Sequence, residues 1–124
     1  RLQADPPIEY GEALAYRWAA TRLPAAAVLQ HNPARAERIF NFGLYAVQPV
    51  LVADRYAQLF GADPAQVRAR TEALAEVFAG TAPPGRFPEV HYLVTRRDPL
   101  WLDLPADRCL YRSDTVCITR TFGP

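Results

Sequence analysis

The sequence predicts an α/β fold: three layers, with a small mixed β-sheet of four to five strands, helices on its faces and a C-terminal β-hairpin. Three observations carry that expectation. Residues 9–23 and 64–79 repeat apolar side chains at helical spacing. The run Val90-His91-Tyr92-Leu93-Val94-Thr95 has the aromatic and β-branched composition of a strand. Two short apolar arms, 108–112 and 115–120, flank the turn-forming pair Ser113-Asp114.

The first helix, 9–23, carries Tyr10, Leu14 and Trp18 every four residues and stops at Pro24. A buried strand through residues 27–31 follows, entering a loop at His31-Asn32-Pro33. One helical turn is expected within 33–42. Residues 47–53 are a second strand, placed at an edge or started late by Pro49, and 54–60 a short helix closed by Gly61. Asp63-Pro64-Ala65-Gln66 is the clearest local signal. Asp63 suits the N-cap, Pro64 the first helical position, and Gln66 the return bond of a capping box. The helix to Ala79 bears Val67, Thr71, Leu74 and Val77/Phe78 on one stripe, with Gly80 beyond its end. Prolines then mark 81–88 as a surface linker. Strand 47–53, helix 64–79 and strand 90–95 would make a right-handed βαβ unit. Strands 27–31 and 90–95 are expected to lie parallel and adjacent. The core contacts of the two helices should run through Leu14, Trp18, Val67, Leu74 and Phe78.

Length and composition narrow the function. At 124 residues the chain fits one domain, residues 9–124, behind a lead-in of residues 1–8 containing Pro6-Pro7. Hydrophobic residues at 50% and charged residues at 22% suit a packed core rather than disorder. A net charge of +1 offers no electrostatic footprint for nucleic acid. Every basic residue is Arg, so Schiff-base and P-loop lysine chemistry are excluded. The chain has no Met, which predicts a processed product or a part of a larger protein. No run approaches the ~18 apolar residues of a membrane span, and no signal-peptide pattern occurs.

No catalytic constellation, cofactor motif or metal-ligand spacing stands out, and no catalytic residue is assigned. Asp54, Asp63, Asp98, Asp103 and Asp107 are loop carboxylates without a distinguishing pair spacing. His91 reads as a structural histidine inside a strand. Leu100-Trp101-Leu102 reads first as core, second as an apolar finger for a membrane or partner. Because ligands of open α/β sheets bind at the C-terminal strand edge, His31, Asn32, Arg97 and Asp98 form the candidate ligand-binding group. They would converge on a small anionic or sugar-like ligand, although polar residues end strands for solubility alone. Cys109 and Cys117 flank the hairpin turn. A two-residue turn at Ser113-Asp114 would pair Tyr111 with Val116 and put the two thiols on opposite faces. A bulged or three-residue turn would bring them together.

Several segments, taken in order, resemble a known family. They are Thr21-Arg22-Leu23-Pro24 leading into Ala27-Val28-Leu29-Gln30-His31-Asn32-Pro33, then Phe42-Gly43-Leu44-Tyr45 and Val52-Ala53-Asp54-Arg55. Leu59-Phe60-Gly61-Ala62-Asp63-Pro64 continues the series, followed by Val90-His91-Tyr92-Leu93-Val94 through Asp98-Pro99-Leu100-Trp101 and by Leu110-Tyr111-Arg112-Ser113-Asp114. Together they look like the C-terminal extracytoplasmic domain of bacterial polytopic membrane proteins similar to C-type glycosyltransferases, the group of the dolichyl-phosphate-mannose protein mannosyltransferases. The resemblance implies a place on the extracytoplasmic face of the plasma membrane, anchored by segments outside this sequence. It implies the membrane part of the same parent chain as partner, and a lipid-linked sugar or glycan acceptor nearby. The parent would transfer sugar from a polyprenyl phosphate. The family's catalytic acidic residue lies in an early loop that nothing here matches, so this domain would be accessory or substrate-facing. The alternative is an independent, cytoplasmic α/β domain that binds a phosphorylated or sugar metabolite at the strand edge.

Overall fold

The computed structural model describes residues 8–34, 49–51, 63–99 and 101–122. Helix α1 spans Ile8–Arg22, strand β1 Leu29–His31, helix α2 Pro64–Phe78 and strand β2 Tyr92–Asp98. Strands β3 (Trp101–Leu102), β4 (Tyr111–Arg112) and β5 (Val116–Arg120) follow, and a single 3₁₀ turn lies at Pro84–Arg86. The sheet is mixed, in the order β1-β2-β5-β4, with β3 pairing β2 beside that path. β1 runs parallel to β2, with His31 opposite Val94. All other pairs are antiparallel.

Alternation along β2 divides the core in two. Val94 packs with Ala15, Tyr16, Ala19, Leu29, Val116 and Ile118, beneath α1. Leu93 packs with Val67, Leu74, Val77, Phe78, Phe87 and Val90, beneath α2. The helices therefore cover opposite faces, which is the expected three-layer α/β arrangement. The stripe on α2 is buried as its spacing predicts. On α1 the contact face differs: Ala15 and Ala19 are fully buried, while Leu14 and Trp18 are half-buried. Small side chains let this helix approach the sheet closely. Trp18 lies at the margin, its ring 5.4 Å from that of Tyr111.

Asp63 caps α2, its Oδ1 accepting the Ala65 amide at 3.1 Å. Gln66 stays exposed and makes no return bond among the described residues. At the other end Gly80 (φ 82°) donates to the Val77 carbonyl, and Thr81 donates to that of Glu76. This is the Schellman closure that a glycine permits.

Two further expectations change. Within residues 47–53, Pro49-Val50-Leu51 do not form a strand. They lie beside β1, where the Pro49 carbonyl accepts the Leu29 amide and the Leu51 amide donates to Gln30 Oε1. The parallel partner of β2 is therefore β1. The expected helix at 54–60 lies outside the described residues, as does most of the turn at 33–42. The hairpin also shifts by one residue: Ser113 N–H donates to the Val116 carbonyl, and Tyr111 faces Ile118. The turn is thus Asp114-Thr115. The Leu110 amide also donates to the Ile118 carbonyl, so two residues face one, and this bulge rotates Cys109 onto the face of Cys117. The two form a disulfide, the bulged alternative of the sequence reading.

Candidate functional site

β1 ends at His31 and β2 continues four residues past its partner Val94, so the parallel pair has a polar C-terminal rim. β3 turns back along this extension, its register set by Asp98, whose Oδ1 accepts the Trp101 amide at 3.1 Å. Residue 103 then follows two positions behind Trp101. On a strand that spacing puts both side chains on one side, and Trp101 Nε1 donates to Asp103 Oδ1 at 2.7 Å.

Asp103 is the centre of the rim and is 1% exposed. Its Oδ1 also accepts Asn32 Nδ2 at 3.1 Å, and its Oδ2 accepts the Arg96 amide at 2.9 Å. One carboxylate thereby joins the ends of β1, β2 and β3. Such hydrogen bonds favour the ionised form and offset its desolvation. Arg96 is buried too, its Nε donating to Asp98 Oδ2 in an ion pair whose two side chains are 7% and 3% exposed. Asn32 Oδ1 accepts the Ala34 amide, which shapes the exit of β1.

The four residues that the sequence proposes as a ligand site do not form one exposed group. His31 is fully buried under α1, its Nδ1 within 3.2 Å of the Tyr16 hydroxyl. Asn32 and Asp98 belong to the buried network around Asp103 and Arg96. Arg97 is exposed and, by alternation with Arg96, points to the opposite face. There it lines a cleft with Ala106, Arg112 and residues 113–117. The rim thus unites Asn32 with Asp98, places His31 beside them in the α1 layer, and sets Arg97 apart.

Arg96 and Asp103 were not singled out by spacing. The one available sign for Asp103 is its i, i+2 relation to Trp101. For Arg96 it is adjacency to Arg97 within a strand, where one of two neighbours must face inward. His91 makes a structural bond, its Nδ1 accepting the Val28 amide at 2.8 Å, but it is exposed and lies one residue before β2 rather than inside it. Trp101 is half-buried and Leu102 is 58% exposed. Leu100 lies outside the described residues.

Among the described residues, no group of three or more His, Cys, Asp or Glu is placed to hold a metal ion. No helix among them is long and apolar enough to cross a membrane. No protein-family model matches the chain, and neither a curated protein nor a solved structure is found to match it.

Proposed function

We propose that this chain is a non-catalytic extracytoplasmic domain of a membrane glycosyltransferase-like protein, turned toward the substrate or a partner. The observation that supports this reading is the Cys109–Cys117 disulfide. Structural disulfides persist in oxidising compartments and are uncommon in reducing ones. The bond ties the end of the 103–110 loop to β5, where Thr119 also donates to the Asp107 carbonyl, a position that suits a permanent staple. The glycosyltransferase link rests on the order of the resembling segments in the sequence.

The reading of an independent metabolite-binding domain has less support at the strand rim. There the polar groups of Asn32, Asp98 and Asp103 are occupied by one another and by Trp101 and Arg96.

Thiol trapping in cells that express the native full-length protein tests the location. After acid quenching, both cysteines should resist a maleimide polymer until reduced. Free thiols in freshly quenched cells would refute the extracytoplasmic assignment. Assays of the purified chain with polyprenyl-phosphate sugars should show no transfer. Turnover that a point substitution in the chain removes would make it an enzyme instead.

A further inference from the structure

We propose that Arg97 and Arg112 form a binding cleft for a phosphate monoester, separate from the buried rim. Thr95, Cys117 and Arg112 lie in one row across β2, β5 and β4. Arg97 is two residues beyond Thr95, on the same face. The two arginines thus flank β5 from either side, above its first residues, where the Arg97 amide donates to the Thr115 carbonyl at 2.8 Å. Both line one cleft of about 170 Å³, together with Ser113, Asp114 and Thr115.

Their pairing sets them apart. Arg96 is committed to Asp98. Among the described residues, no hydrogen bond or ion pair engages the guanidinium of Arg97 or of Arg112. Asp114 lines the cleft without bridging to either, so the lining carries two positive charges against one negative. Two guanidiniums lining one cleft can present forked N–H donors that match the tetrahedral oxygens of a phosphate. A monoester supplies more charge than a single carboxylate, which makes it the better counterpart for two arginines. This inference does not depend on the compartment proposed above.

The test is an NMR titration of the 124-residue chain at constant ionic strength, following backbone amides and arginine Nε–H signals. Inorganic phosphate and glucose 1-phosphate serve as soluble probes. Vesicles of phosphatidylcholine with phosphatidic acid serve as the lipid form of the same chemistry. Saturable shifts should concentrate at Arg97, Arg112 and residues 113–115. Arg97→Gln and Arg112→Gln should each weaken binding about tenfold or more, the equivalent of one charge-assisted hydrogen bond. Both variants should melt with the wild type, since both side chains are exposed, and Arg108→Gln should bind normally. Saturation by glucose 1-phosphate alone identifies a soluble ligand, and retention by the vesicles a lipid headgroup; either supports the site. Non-saturating shifts with every probe, or binding that survives both substitutions, would overturn it.

Discussion

Arg96 and Asp103 are joined twice: the Arg96 amide donates to Asp103 Oδ2, and the Asp103 amide donates to the Arg96 carbonyl, both at 2.9 Å. The exchange carries the pairing of β2 and β3 one residue further, with a side-chain oxygen accepting in place of a carbonyl. It also delivers a carboxylate to the end of β1. The rim is therefore first a joint between three strands. Any ligand chemistry there would have to open that joint.

Asp103→Ala should be the most damaging single change in the rim. It strands the Asn32 amide, the Trp101 indole N–H and the Arg96 backbone N–H, each of which costs about 1–3 kcal/mol when buried unpaired. A loss of about 3 kcal/mol or more is expected in urea unfolding. Asp103→Asn should lose less, because one oxygen can still accept from Asn32 and Trp101. An Asp103→Ala chain as stable as wild type would show that these bonds are not made in solution.

Leu74 is 1% exposed in the layer beneath α2. Leu74→Ala should cost about 2–5 kcal/mol, combining lost burial with a residual cavity. A melt indistinguishable from wild type would place this helix face in solvent.

Opening the disulfide should loosen the loop over the sheet more than the sheet itself. The linked residues are eight apart, which for so short a closed loop corresponds to about 2–3 kcal/mol. Reduction, or Cys109→Ser, should lower the melting temperature and speed amide exchange at residues 104–110 first. Uniform loss of protection across β2 and β5 would instead make the bond integral to the core.

At the start of α2, Asp63→Ala should lose about 0.5–2 kcal/mol and Asp63→Asn much less, since Asn caps nearly as well. Chemical denaturation of the pair discriminates the two. Equal losses would mean that the charge of Asp63, rather than its acceptor at Ala65, is what matters.

Local signals in this sequence settle local structure. The stripe from Val67 to Phe78, the cap at Asp63, the stop at Gly80 and the strand through 92–95 all arise within a few residues of the groups they order, although that strand starts later than 90 and runs on to Asp98. Helix capping and alternation act over that range, so one sequence suffices to read them. The parallel adjacency of β1 and β2 was legible as well, because each is a short apolar run followed by polar residues. What the tertiary structure alone decided is which way the polar residues turn. Arg96 and Arg97 are identical in sequence, yet one is buried against Asp98 and the other opens into a cleft with Arg112. The register of β2 between β1 and β5 makes that choice, and a shift of one residue would exchange their roles. In the same way the bulge at Leu110 turned Cys109 toward Cys117. Burial of His31 under α1 followed from Ala15 and Ala19 admitting the helix so close. Registers, bulges and layer spacing are set by contacts far apart in the chain, and no window of neighbouring residues contains them.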